Sequence, residues 1–206
     1  MKKLLLFLFM SAIVTFNLLA QEQSSHLKFK NIPITGTMQS VVSQLKTAGY
    51  KVNSQSPDFT LMDGSFANLN CEIAIRATPK SNIVYSIAVF FTESTSWYSL
   101  KSDYLEFKKL LKEKYQVSPR TTEEFIEPYY EGDGYELQAT TKSKCYYYSI
   151  FDVKDGEIRL VILNKRLTLL YTDKYGDTIN EREENENTLM VFDCTNYIML
   201  PTDDRY

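Results

Sequence analysis

Apolar positions fall at helical spacing in two stretches of the chain and at strand spacing in the stretches that follow them. From Thr37, the residues Met38, Val41, Val42, Leu45 and Ala48 share one helical face, and Gly49 stands where a left-handed C-terminal cap belongs. Trp97, Leu100, Tyr104, Phe107, Leu111 and Tyr115 form a second, longer stripe, with Lys101, Asp103, Lys108, Lys109 and Lys112 turned mostly away and Pro119 following as a stop. A short extended segment, Phe29 to Ile34, precedes the first helix. After that helix, Phe59 to Phe66, Cys71 to Ala77 and Ile83 to Phe91 read as strands separated by Asn68 to Asn70 and by Pro79 to Asn82. A second set, Tyr135 to Thr140, Lys144 to Asp152, Glu157 to Leu163 and Leu167 to Tyr171, follows the longer helix.

The expected fold is α+β: a helix followed by an antiparallel meander, occurring twice, with the helices packed on one sheet face. The pattern leaves open whether two modules, about residues 29–93 and 94–172, carry separate sheets or share one. Asp155-Gly156 is a two-residue hairpin signal, and its register sets Asp152 opposite Arg159, Phe151 opposite Leu160 and Ser149 opposite Ile162. Tyr147 then shares the face of Phe151, while Tyr146 and Tyr148 point to the other. Beyond residue 172 the periodicity fades. Glu181, Glu183, Glu184 and Glu186 crowd around Arg182, which predicts a solvated, partly mobile and irregular tail over 173–206, with Leu189 to Phe192 and Tyr197 to Leu200 as its apolar patches.

Residues 1–20 read as a cleavable secretory signal. Lys2 and Lys3 precede the apolar runs Leu4 to Met10 and Ala12 to Val14, and Ala20 stands directly before the polar string Gln21 to Ser25. Ser11, Thr15 and Asn17 interrupt the roughly 20 apolar residues that a membrane anchor needs. The first cysteine, Cys71, is too far from the cut for lipid attachment there. The expected location is periplasmic or secreted, with no membrane span after processing. Removal of the signal leaves 186 residues, suited to one domain or two small ones sharing a core. The charge becomes 21 basic against 26 acidic side chains, a net of −5, and with no basic stripe this argues against nucleic acid as a partner. Cys71, Cys145 and Cys194 show no C-x-x-C spacing. Export permits a disulfide, and a Cys71–Cys145 bridge closing about 75 residues would stabilise the fold by about 4 kcal/mol; three separate thiols are the other reading.

The segments Ile32-Pro33-Ile34-Thr35-Gly36, Leu45 to Gly49-Tyr50, Gly64-Ser65-Phe66-Ala67, Val84-Tyr85, Trp97 and Lys114-Tyr115 together resemble a group of uncharacterised exported α+β proteins of Gram-negative gut bacteria. The resemblance spans about residues 29–171, rests on packing and turn residues, and leaves the acidic tail outside it. In topology the order of elements is also similar to the β-lactamase-inhibitor protein and to the small outer-membrane assembly lipoproteins. This second likeness implies a binding role by analogy of fold alone.

Reactive groups are scarce. The one histidine, His26, lies in a polar leader and reads as solvated, which removes the usual base of serine and cysteine hydrolases. Ser43-Gln44-Leu45-Lys46 matches S-x-x-K, yet Ser43 lies inside a helix and no S-D-N or K-T-G segment accompanies it. Glu127, Glu131, Asp133 and Glu136 offer a carboxylate pair for a hydrolase of envelope or dietary polymer, against which stands a glycine-bearing turn over Glu131 to Gly134. Asp173, Asp177 and Asn180 lack the order of a calcium loop and read as a solvated turn. No catalytic residue, metal ligand or cofactor motif is assigned. What remains is tyrosine: Tyr129 and Tyr130, then Tyr146, Tyr147 and Tyr148, supply side chains of the type enriched at recognition surfaces. The expected function is therefore a non-enzymatic binding module for a protein, peptide or glycan, with Tyr146, Tyr147 and Tyr148 as candidate contacts; the carboxylate-pair hydrolase is the alternative.

Overall fold

A computed structural model of the chain describes residues 25–186. The signal segment, Cys194 and the apolar patches at 189–192 and 197–200 lie outside the described residues.

Both expected helices form. Helix α1 (Met38–Thr47) buries Met38, Val41, Val42 and Leu45. The Thr37 hydroxyl accepts the Ser40 amide at 3.3 Å to open it. Gly49, at φ +96°, closes it by letting its amide reach the Lys46 carbonyl and the Tyr50 amide reach the Leu45 carbonyl, both at 3.0 Å. Helix α2 (Trp97–Tyr115) is capped by Ser96, buries Leu100, Tyr104, Phe107 and Leu111, and ends on left-handed Gln116.

A small hairpin, β1 (Lys28–Phe29) with β2 (Ile32–Pro33), starts the described chain. Eight further strands make one sheet. They are β3 (Lys51–Gln55), β4 (Phe59–Phe66), β5 (Leu69–Ala77), β6 (Val84–Phe91), β7 (Arg120–Phe125), β8 (Cys145–Val153), β9 (Gly156–Leu163) and β10 (Arg166–Asp173). Every pairing is antiparallel and the spatial order is β3-β4-β5-β6-β10-β9-β8-β7. The α+β class and the large antiparallel sheet are thus as expected.

Several features differ. Residues 135–140, expected as a strand, belong instead to helix α3 (Glu136–Thr141). Its buried positions Glu136, Ala139 and Thr140 follow i, i+3, i+4 spacing, and Glu, Leu, Gln and Ala are good helix formers. Strands β3 and β7 carry no clear apolar alternation because they are the two edges, mostly exposed, where polar and charged side chains guard unpaired backbone. The acidic segment expected to be irregular is helix α4 (Lys174–Glu186), with Ile179, Asn180 and Glu183 buried. The β8–β9 hairpin is displaced by two residues: Asp152 faces Glu157, Phe151 faces Ile158 and Ser149 faces Leu160.

Gly156 explains that displacement. A Cβ there would lie 2.1 Å from the Thr172 carbonyl oxygen, so this glycine permits close approach of β9 to β10 rather than forming the turn. The turn is Lys154-Asp155, and Arg159 pairs with Glu157 while Asp152 accepts Arg120. A shift of two keeps each side chain on its expected face.

The two faces are covered differently. Helices α1 and α2 lie over Ile73, Ile75, Ile87, Val89, Ile158, Leu160 and Leu169. Within this layer Phe29 stacks on Phe66 at 5.3 Å and Phe91 meets Phe107 at 5.0 Å. Helix α4 packs on the opposite face, correcting the expectation that the helices share one. Arg76, Glu157 and Arg159 act on Asp177, and all three belong by register to that opposite face. Burial, with Glu181, pushes the Asp177 carboxyl above its ordinary range, against the pull of Arg159 and Arg76. Glu183 pins the helix to the β5–β6 turn by accepting the amides of Lys80 at 2.7 Å and Ser81 at 3.2 Å together with the Ser81 hydroxyl.

Cys71 and Cys145 are both free and buried. They sit on β5 and β8, four strand spacings apart, about 19 Å at 4.8 Å per strand, well beyond the roughly 7 Å limit for a disulfide. The bridge considered from the sequence is excluded.

Phe107→Ala should cost about 3–5 kcal/mol in urea unfolding because the ring is buried between α2 and the sheet; a loss under about 1 kcal/mol would contradict that placement. Burial opposes ionisation of Glu183, but its three hydrogen bonds outweigh it and hold the carboxyl below the usual range. Its contribution is therefore complete at neutral pH and disappears as pH falls through the folded value. Glu183→Gln should remove about 2 kcal/mol, seen as faster hydrogen exchange of α4 amides at pH 7 and as a smaller difference from wild type in acid.

Candidate functional site

Strand β8 divides its tyrosines by alternation. Tyr147 points to the helical layer and is 3% exposed. Its ring lies 5.0 Å from Trp97, 5.5 Å from Phe125 and 5.8 Å from Tyr104, and its hydroxyl donates to Glu131 at 3.1 Å. Lys101 also binds Glu131 and holds its carboxyl below the ordinary range, with Tyr147 adding a second hydrogen bond. Burial and the Glu131 carboxylate raise the Tyr147 hydroxyl well above its usual value. Tyr147 is a structural residue that ties α2 and the 130–136 loop to the sheet.

Tyr146 and Tyr148 occupy the other face, both half-buried. Register carries their row across the sheet. Tyr148 is opposite Val161, Val161 is opposite Thr168, and Thr168 is opposite Phe90. The next row is Ile150, Arg159, Leu170, Ala88 and Ala74. Leu163 and Leu61 extend the apolar area, and Leu61, Phe90, Tyr146, Tyr148, Ile150, Leu163 and Leu170 all keep part of their surface in solvent. Charges frame it. Arg120, Asp152, Glu157 and Arg159 link up at one end, and at the other Arg166 donates to Glu93 at 2.7 Å. The Arg166 Nε is buried and has no acceptor among the described residues. Helix α4 lies over β6, β10 and β9 near Arg76, and Tyr146 and Tyr148 stand on β8, further along the sheet.

The candidate acids serve the turn that carries them. Asp133 accepts the amides of Tyr130 at 3.0 Å and Tyr135 at 2.7 Å. Glu136 is buried and accepts the Gly132 amide at 2.8 Å. Gly132 and Gly134 take φ of +90° and +78°, the glycine-bearing turn weighed against catalysis. With Glu131 held by Lys101 and Tyr147, the segment is organised as a loop anchor. Ser43 and Lys46 sit exposed on α1.

His26 is a correction. It is partly buried, and its Nδ1 lies 3.2 Å from both oxygens of Asp173, a carboxylate with no exposure. Asp173 also accepts the amides of Leu27 and Gly176, both at 2.9 Å, so it ties the start of the described chain to the β10–α4 junction. The solvated turn expected at Asp173, Asp177 and Asn180 is thereby replaced. Asp173 ends β10, and Asn180 lies within α4 and donates to Glu184 at 3.0 Å. No sequence signal joins His26 to a partner 147 positions away.

No protein-family model matches the chain, and comparisons with curated proteins and with solved structures likewise give no match. Among the described residues no helix is long and apolar enough to cross a membrane.

Alanine substitutions should separate the tyrosines. Tyr147→Ala is expected to cost about 3–5 kcal/mol by emptying the Trp97–Phe125–Tyr104 cluster, whereas Tyr146→Ala and Tyr148→Ala should each cost about 1 kcal/mol. Urea denaturation of the three variants checks this, and equal losses would contradict the assigned faces.

Proposed function

We propose that the chain is an exported, non-enzymatic binding module whose α4 sheet face receives a protein partner around Tyr146 and Tyr148. The observation that carries this reading is the set of partly exposed apolar side chains Tyr146, Tyr148, Ile150, Leu163, Leu170 and Phe90 on neighbouring rows of one face, bordered by charged pairs. Protein interfaces combine an apolar, aromatic centre with a polar rim. Eight strands span about 34 Å between edges, and an eight-residue strand runs about 26 Å, a scale suited to a standard interface of about 800 Å² per partner. An acceptor brought to the buried Arg166 Nε would remove the cost of an unsatisfied donor, about 1–3 kcal/mol.

The order of elements supports two modules, a helix before β3 to β6 and a helix before β7 to β10, meeting at β6 and β10. The topological likeness to the β-lactamase-inhibitor protein favours the same role by analogy, and the sequence resemblance to exported proteins of gut bacteria accords with export. Export rests on the tripartite signal at residues 1–20, with a periplasmic or secreted destination.

Two measurements test this reading. Intact mass of the exported protein should correspond to a chain beginning at Gln21, and retention of residues 1–20 would refute the compartment. Affinity capture from envelope extract, with crosslinks read by mass spectrometry, should place the partner against β8 and β9. For that partner, Tyr146→Ala with Tyr148→Ala should weaken binding at least fivefold, about 1 kcal/mol, while Tyr98→Ala on exposed α2 changes nothing. Unchanged affinity in the double variant would show that the surface is wrong.

A further inference from the structure

At the end of the helical layer, away from Tyr146 and Tyr148, lies a cleft of about 640 Å³. Three separate parts of the chain wall it: His26, Lys28 and Asn31 in and beside the β1–β2 hairpin, Lys114 and Tyr115 at the end of α2, and Asp155 in the β8–β9 turn.

Its charge runs against that of the chain, which is net acidic. Two lysines line the cleft with one surface carboxylate, Asp155, and that carboxylate already accepts the Ser25 hydroxyl. Among the described residues neither Lys28 nor Lys114 makes an ion pair; Lys114 rests over the Tyr115 ring at 5.0 Å. One wall is fixed in advance. A buried carboxyl group needs hydrogen-bond partners, and Asp173 has them in the Leu27 and Gly176 amides and His26, which places the imidazole on the cleft wall. Little of that wall has to be ordered when a ligand enters.

We propose that this cleft binds a doubly charged oxyanion, a phosphate group either free or carried on a small molecule. Lysine ammonium groups act on phosphate as point charges. Asn31 and Tyr115 also line the cleft, and their side chains carry an amide and a hydroxyl of the kind that can donate to an oxyanion. Two ammonium groups against the Asp155 carboxylate leave the lining net positive, and a dianion is attracted to it about twice as strongly as a monocarboxylate, so the lining favours phosphate over acetate.

The test is an NMR titration of the mature protein with inorganic phosphate, at ionic strength held constant with chloride, and a parallel titration with acetate. Phosphate should move the amide signals of His26, Asn31 and Tyr115 saturably, and acetate should need at least about tenfold more to do so. Lys28→Gln with Lys114→Gln should weaken the phosphate response about tenfold or more. Both side chains are exposed, so the variant should keep its melting temperature, and Lys28→Arg with Lys114→Arg should restore the response. Absence of saturation, equal response to acetate, or an unaltered response in the glutamine variant would each overturn the proposal. Because the cleft and the tyrosine face share no residue, failure here leaves the proposed partner surface untouched.

Discussion

The pairing of β6 with β10 is the constraint on which the rest of the structure depends. Five residue pairs, from Phe90 opposite Thr168 to Ser86 opposite Thr172, join a four-strand meander that precedes α2 to one that follows it. Without that seam each half would end in a buried apolar strand with an unpaired edge, since Ile87, Val89, Leu167 and Leu169 are all buried and their backbone groups must be bonded. With it, the remaining edges fall to β3 and β7, the two most polar strands of the sheet.

The seam also aligns the residue rows on both sides. On the helical side, α1 lies over one half and α2 over the other, and Phe29 from the β1–β2 hairpin meets Tyr50, Phe66 and Tyr171. That contact draws on strands from both halves, so the hairpin fills the aromatic centre of the shared core. Behind it, Asp173 anchors His26 and the Leu27 amide, which fixes how the hairpin enters the layer. On the other side α4 is the sole described helix, and it takes the quarter near the β5–β6 turn. Tyr146 and Tyr148 of β8 are left partly in solvent by this unequal cover.

Elements with strong one-faced periodicity were legible from the amino-acid sequence. The α1 and α2 stripes and most inner strands are where the spacing of Val, Ile, Leu and aromatic residues puts them. The alternation of Tyr146, Tyr147 and Tyr148 was legible too, because a two-residue shift in the hairpin preserves faces. Legibility failed where long-range contact decides the outcome. Gly156 looks like a turn residue until the Thr172 carbonyl is seen beneath it. Glu183 looks like part of a solvated charge run until the amides of Lys80 and Ser81 meet it. His26 belongs to the same class, and so does the cleft beside it, whose walls come from three segments far apart in the chain. The short helix α3 was lost to accidental alternation of Tyr135, Leu137 and Ala139.

The central claim is one continuous sheet, joined at β6 and β10, whose α4 face runs unbroken across both halves. Native-state hydrogen exchange in low denaturant tests it most directly. Amides of β5, β6, β10 and β9 should lose protection together, at the free energy of global unfolding, because the seam makes both halves one cooperative unit. Loss of protection in β8, β9 and β10 at markedly lower denaturant than in β4, β5 and β6 would contradict it, since the halves would then be separate units and no shared face would exist.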